Sequence, residues 1–240
     1  MKFIRIYQAN KFEIGGSYEL DKASSNHLIK VLRLKNKYTF NVFDGEGSEH
    51  RATLEISGKR AIAHIQSAVE SNNESHLNIH LLQGISKGDR MDFAIQKSIE
   101  LGVSSITPVI TERTVVKLKD DKDLKKMLHW NAIAVGACEQ SGRSVVPKIQ
   151  PICSFSDAIN IAFNGSKFLL DPLSSKGLKS LNADKNIQIL IGPEGGLSEQ
   201  EIELATQNDF IGVKMGPRIL RTETAALAAI TAAQLLWGDI

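Results

Sequence analysis

The segment Ile187–Glu203, reading IQILIGPEGGLSEQEIE, constrains the fold more than any other part of the chain. A short apolar run ends in Gly192-Pro193-Glu194-Gly195-Gly196, and a helix start follows at once. Ser198 stands in the N-cap place and Glu201 three residues later, the spacing of a capping box. Strand, glycine bend and helix in that order bring bare backbone to the carboxyl end of a sheet, where α/β proteins bind ligands. The theme recurs at Phe210–Met215, then Gly216-Pro217-Arg218-Ile219-Leu220-Arg221-Thr222-Glu223-Thr224, then an Ala-rich helix. Two such bends, close in sequence, are expected to wall one pocket.

Familiar alternatives are missing. The bend is not GxGxxG, and no GxxxxGK[ST] loop occurs, which disfavours an ordinary NAD or ATP site. Two cysteines, Cys138 and Cys153, make no disulfide framework or CxxC pair, and six histidines are scattered, so no metal site is expected. No signal-peptide pattern or membrane-spanning apolar run is present, so a cytoplasmic location is expected. The net charge of +2 demands no nucleic-acid partner. Residues 1–70, however, hold 11 Lys+Arg against 8 Asp+Glu, and the rest is balanced at 18 against 19. Lys30, Arg33, Lys35 and Lys37 concentrate that excess, as a solvated face or a phosphate-binding patch.

The first seventy residues read as β structure. Tyr38–Asp44 and Glu49–Ser57 flank a Gly45-Glu46-Gly47 hairpin, and Ser57-Gly58-Lys59 turns into Ala61–Val69. One helix is expected over Asn26–Leu34. Short strands with tight turns suggest a small barrel. The polar stretch Ser71–Ser75 marks the expected boundary between domains 1–70 and 75–240. Beyond it strands and helices alternate: strand Leu77–Gln83, helix Asp89–Leu101, strand Ser105–Ile110, helix Asp121–Gln140, helix Phe155–Ala162 and strand Lys167–Asp171. That rhythm predicts an α/β domain with a mainly parallel sheet.

Several residues carry chemistry in one reading and none in another. Glu194 is a solvated carboxylate, a loop anchor or a partner for a cationic ligand. Arg218 and Arg221 are suited to phosphate or to a developing anion, or they bridge Glu223 at the surface. A cation at a helix N-terminus, as at Arg221, runs against the dipole and needs a reason. Glu139-Gln140-Ser141-Gly142-Arg143-Ser144 is a Gly-terminated helix end or a functional polar cluster. Cys138, on an apolar helix side, reads as inert. The lysine run Lys117–Lys126 reads as solvated helix surface. Ala225–Trp237 is a core helix or a subunit contact, its small residues permitting close approach.

At these residues the chain resembles the RsmE-type RNA methyltransferases of the SPOUT superfamily, which methylate uracil N3 in small-subunit (16S) ribosomal RNA. The likeness spans NHLIKVLRL, KGDRMDFAIQKSIELGVSSITPVITERTVV, ACEQSGRSVVPKI, LLDP, IGPEGGLSEQEIELA and MGPRILRTETAALAAI, in the expected order over most of the chain. One departure falls at His129-Trp130-Asn131, where members usually carry a charged residue after the Trp. The resemblance implies an N-terminal PUA-like barrel that binds RNA and a C-terminal SPOUT domain. The latter is an α/β sheet whose last segments thread into a trefoil knot, something no periodicity foretells. It also implies a homodimer through the C-terminal domain and S-adenosylmethionine (SAM) as cofactor. The cofactor would lie among Leu169, Leu170, Ile191, Gly192, Pro193, Glu194, Gly196, Met215, Gly216, Ile219 and Leu220.

Uracil N3 bears a proton and is a poor nucleophile until it leaves. Arg221, then Arg143, the latter from the same chain or from the partner subunit, are the expected stabilisers of the resulting anion. Glu139 or Glu223 is the expected proton acceptor or arginine-orienting group. Lys30, Arg33, Lys35, Lys37 and Arg218 are expected to contact RNA. Another SPOUT methyltransferase with a different RNA target and a non-catalytic RNA-binding module are the alternatives.

Overall fold

A computed structural model describes residues 4–116 and 120–240. Residues 117–119, the start of the lysine run, lie outside the described residues. The chain divides into two units: residues 1–74 with 135–146, and residues 75–134 with 147–240.

The first unit is built on a five-stranded mixed sheet. Its strands are β1 (Arg5–Tyr7), β2 (Ser17–Glu19), β3 (Thr39–Phe43), β4 (Glu49–Ser57) and β5 (Arg60–Val69), in the order β1-β3-β4-β5-β2. The expected hairpin forms, with β3 antiparallel to β4, while β1 joins β3 in parallel. β1 and β2 are too short to show a period, so sequence reading passes over them. Ile6, Leu28, Phe40, Val42, Leu54 and Ile65 fill one core. The helix expected over Asn26–Leu34 lies earlier. It runs as α1 (Lys22–Asn26) and then a wide π turn over His27–Val31. The missed signal is Asp21, whose side chain accepts from the Ser24 N–H at 2.7 Å as N-cap. The turn stops at Arg33, which takes a left-handed φ of 51°.

The second unit is an α/β fold around a seven-stranded sheet. The strands are β6 (Asn78–Gly84), β7 (Ser105–Ile110), β8 (Lys148–Ile149), β9 (Cys153–Ser154), β10 (Ser166–Leu170), β11 (Asn186–Ile191) and β12 (Ile211–Val213). The order is β12-β10-β11-β6-β7-β8, with β9 also beside β7, and every pairing among the described residues is parallel. Strands buried on both faces suit near-continuous apolar runs, as in IQILI of β11. The helices are α2 (Asp89–Glu100), α3 (Asp120–Ser141, crossing into the first unit), α4 (Phe155–Ile159), α5 (Glu199–Gln207) and α6 (Thr222–Trp237). α4 is shorter than expected: Ser154 caps its start, accepting from the Asp157 N–H.

α6 packs against α2 and touches β11. Ala225, Ala226, Ala229 and Ala233 are buried, and the small side chains let the helices approach closely. Gln234 is fully buried, accepting from Ser75 Oγ at 2.8 Å and donating to the Leu101 carbonyl at 3.1 Å. Trp237 stacks on Phe168 with ring centroids 5.6 Å apart. Leu235 and Leu236 remain exposed, so the helix has a core face and an uncovered apolar face.

Candidate functional site

The sheet order places the carboxyl ends of β10, β11 and β12 beside one another. The two glycine bends leave from β11 and β12, the strands on either side of β10, so both come to one place. A cavity of about 550 Å³ lies there, lined by residues 170–173, 191–197, 215–216 and 218–222 among others. That volume falls within the range of small-molecule sites.

Each bend is built by its sequence. After β11, the Gly196 N–H donates to the Pro193 carbonyl at 2.9 Å, and Gly196 takes φ +71°. The capping box forms in both directions: Ser198 N–H donates to Glu201 Oε2 at 2.9 Å, and Glu201 N–H to Ser198 Oγ at 3.3 Å. In the second bend Gly216 takes φ +86°. Nothing lies within 4 Å of the position a Cβ would occupy at Gly196 or Gly216, so both leave room as well as turning the chain.

The second bend has a further property. Among the described residues, no backbone N–H or C=O of Met215–Leu220 has a hydrogen-bond partner. These residues are mostly exposed, so water serves the groups in the free protein. A run of them along a cavity wall offers hydrogen bonds to a bound molecule, while Leu170, Ile191, Leu197, Val213 and Leu220 offer apolar contact. A planar ring with polar edges suits that wall.

Four contacts from distant parts of the chain hold the first bend; the sequence allowed Glu194 as a loop anchor but marked none of the partners. Glu194 accepts from the Lys87 N–H at 2.9 Å and pairs with Arg90 at 3.3 Å, so it anchors the loop. Arg113 donates from Nη1 to the Gly195 carbonyl at 2.9 Å. Glu201 serves beyond its cap by accepting from the Glu112 N–H at 2.9 Å. Arg90 and Arg113 join Arg218 and Arg221 in lining the cavity. Arg218 and Arg221 are exposed and their side chains have no hydrogen bond or ion pair among the described residues, so the surface bridge to Glu223 does not form. Arg221 is the N-cap of α6. Glu223 Oε2 is buried without a partner among the described residues.

Of the residues expected at the cofactor, Leu170, Ile191, Gly192, Pro193, Glu194, Gly196, Met215, Gly216, Ile219 and Leu220 line the cavity. Leu169 lies one residue inside β10, fully buried in the core. All lining residues belong to the second unit.

Arg143 and Glu139 belong to the first unit. Arg143 is 5% exposed and pairs with Glu74 at 2.6 Å. Ser144 donates to Glu49 Oε2 at 2.8 Å, and Arg5 pairs with the same carboxylate at 2.7 Å. Burial pushes the Glu49 carboxyl upward, but the Arg5, Asn41 and Ser144 hydrogen bonds outweigh it and hold it below the usual range. Glu139 accepts from the Tyr7 N–H at 3.0 Å, and burial raises its carboxyl. Within the polar cluster at the end of α3, Arg143 and Ser144 are therefore buried in hydrogen-bonded contacts, Glu139 is half-buried and Gln140 is exposed. Cys138 beside it is fully buried, and burial pushes its thiol up to about 11, which removes it as a nucleophile near neutrality.

Lys30, Arg33, Lys35 and Lys37 are all exposed and make no ion pair among the described residues. His129 and Trp130 both reach Asp92, at 2.7 and 3.2 Å, while Asn131 is exposed. No group of acidic, His or Cys side chains among the described residues is arranged to hold a metal. No described helix is long and apolar enough to cross a membrane.

The family described as RNA methyltransferase domain matches residues 73–234, and the RNA methyltransferase PUA domain matches residues 20–66. A ribosomal RNA small subunit methyltransferase E from Buchnera aphidicola subsp. Acyrthosiphon pisum is 38% identical over 242 residues, covering 99% of this chain and 95% of its own. A putative methyltransferase from Legionella pneumophila, solved in complex with bound SAM, is 40% identical with a TM-score of 0.97 over 100% of both chains. A ribosomal RNA small subunit methyltransferase E from Neisseria gonorrhoeae, solved bound to S-adenosyl methionine, is 40% identical with a TM-score of 0.94, again over 100% of both.

Proposed function

The chain belongs to the RNA methyltransferase family, and from that premise we propose that it transfers a methyl group from SAM to N3 of a uridine in small-subunit ribosomal RNA. One observation carries the reading: both glycine bends wall a single cavity at the carboxyl ends of β10, β11 and β12. Its residues fit SAM. The unpaired backbone of Met215–Leu220 suits the adenine edge and the ribose hydroxyls, the apolar side chains suit the ring faces, and Gly196 and Gly216 leave space. Bound there, SAM supplies an electrophilic methyl group on a sulfonium.

The chain's own side chains do the rest. Arg221, unpaired at the cavity, stabilises the negative charge that spreads onto O2 and O4 as N3 loses its proton. Glu223, two residues along and not itself lining the cavity, is the nearby carboxylate to accept that proton or to orient Arg221 once substrate is bound. Holding the base in line with the methyl group supplies a further share of the rate. Arg143 and Glu139, tied into the first unit's network, serve as framework rather than chemistry.

In this reading residues 1–70 are the RNA-binding domain and 75–240 the catalytic one. Lys30, Arg33, Lys35, Lys37 and Arg218 bind the RNA backbone. The uncovered face of α6, with Leu235 and Leu236 exposed, is where a second copy packs. The protein acts in the cytoplasm, where its substrate is made. Labelled-methyl transfer to ribosomal subunits and to naked RNA, both from a strain lacking the modification, tests the reading through nucleoside mass analysis. Label in any position other than uridine N3 overturns the assigned position, and no transfer to either substrate overturns the activity.

A further inference from the structure

We propose that Arg90 and Arg113 form an oxyanion-binding pair on the cavity rim that holds a phosphodiester of the RNA strand beside the nucleotide to be methylated. The inference rests on the methyltransferase reading above. Both guanidiniums contact one loop tip, and both arginines line the same cavity. Arg90 Nη1 meets Glu194 Oε1 at 3.3 Å, and Arg113 Nη1 meets the carbonyl of the next residue, Gly195, at 2.9 Å. Consecutive anchors gather two cations at one place.

Arg113 rides on a pinned turn. The Thr111 N–H donates to Thr114 Oγ1 at 2.9 Å, and the Glu112 N–H to Glu201 at 2.9 Å. A guanidinium has five N–H donors, and these contacts use one on each arginine. Both side chains are exposed, Arg90 at 44%, so the remaining donors are accessible. Glu194 cancels one of the two charges, leaving a net cation whose fork matches a phosphate.

The cofactor's carboxylate offers the same oxyanion chemistry. It carries its own ammonium on the adjacent carbon, which offsets its charge within a few bond lengths. A phosphodiester has no such internal partner, so it gains more from a pair of accessible cations.

The test uses the full-length protein, with the variants R90A, R113A and R113K. SAM affinity is measured by calorimetry, and affinity for the RNA substrate is measured across a salt series. Expected for each alanine variant are about tenfold weaker RNA binding and a log–log salt slope shallower by about 0.7. SAM binding weakens less than RNA binding, the part it loses reflecting a first bend freed of its Glu194 or Gly195 contact. R113K keeps the charge and the slope, even where loss of the Gly195 contact lowers thermal stability. An unchanged slope in both alanine variants overturns the proposal. So does a tenfold loss of SAM affinity with RNA binding intact, which assigns the pair to the carboxylate. Wild-type protein that transfers no methyl group to RNA overturns the underlying activity instead, so the two failures are distinguishable.

Discussion

The Thr222 hydroxyl donates to the Gly192 carbonyl at 2.7 Å, across thirty residues of chain. The same oxygen accepts from Gln83 Nε2 at 2.9 Å, and Gln83 is fully buried at the end of β6. One hydroxyl therefore joins the start of the first bend, the end of the second and the neighbouring strand β6. Thr222→Val keeps the shape and removes both bonds, leaving the Gly192 carbonyl and the Gln83 amide without this partner. The expected cost is about 1–3 kcal/mol of stability, read by urea unfolding, together with weaker SAM binding in calorimetry. Thr222→Ser restores both. Wild-type SAM affinity in the valine variant would falsify the clasp as a support of the site.

Gly84 shows a second constraint on the same loop. A Cβ there would lie 2.5 Å from the Pro193 nitrogen and 2.8 Å from the Gly192 carbonyl carbon. Both are backbone atoms, so no side-chain rotation relieves the clash. Gly84→Ala is expected to push the first bend off β6 at a cost of about 1–3 kcal/mol. For a chain of this size that is a fall in Tm of roughly 2–12 °C. A thermal melt with and without SAM checks it, and SAM should recover less of the loss than it adds to the wild type.

What was legible in the sequence was local. The Ser198–Glu201 box, the glycine bends and the alternation of β6 to α6 all follow from neighbours within a few residues. The anchors of the first bend were not legible. Arg113 is 82 residues from Gly195, Lys87 is 107 from Glu194, and Glu112 is 89 from Glu201. Nothing local marks a backbone N–H as the partner of a distant carboxylate. They meet because β11 lies between β10 and β6, an order set by tertiary packing. The cluster at Glu139–Ser144 failed to read for the same reason: its partners Tyr7, Glu49 and Glu74 lie far back in the chain.

Arg221 caps α6 with its backbone and leaves its side chain unpaired at the cavity. A residue kept for stability at that place would have a carboxylate partner or be replaced by an ordinary capping side chain. Arg221→Ala is expected to lower kcat by about 10²–10³ while the Kd for SAM changes less than threefold. Single-turnover methylation beside calorimetry separates the two quantities. An unchanged single-turnover rate removes Arg221 from the chemistry.

His80 makes stability depend on pH. It lies in the middle of the parallel sheet, opposite Gln188 of β11. Its Nδ1 accepts from Gln188 Nε2 at 3.1 Å, and its Nε2 pairs with Thr107 Oγ1 at 2.8 Å. Burial lowers its pKa from 6.5 to about 4. Between those values the unfolded chain binds a proton that the folded chain refuses. The stabilisation is therefore complete above pH 6.5 and is lost as pH falls towards 4. From pH 7 to pH 5 the loss is about 2 kcal/mol. Glu139, raised by burial above 4.5, acts in the opposite sense in the window above that value, and Glu49, held low, contributes only as pH falls below it. The readout is therefore the difference between wild type and His80→Gln in urea unfolding at pH 7, 6 and 5. The variant should be less stable at pH 7 and should lose less on acidification. Parallel pH profiles for the two proteins would mean that the imidazole takes up its proton as readily inside the sheet as in the unfolded chain.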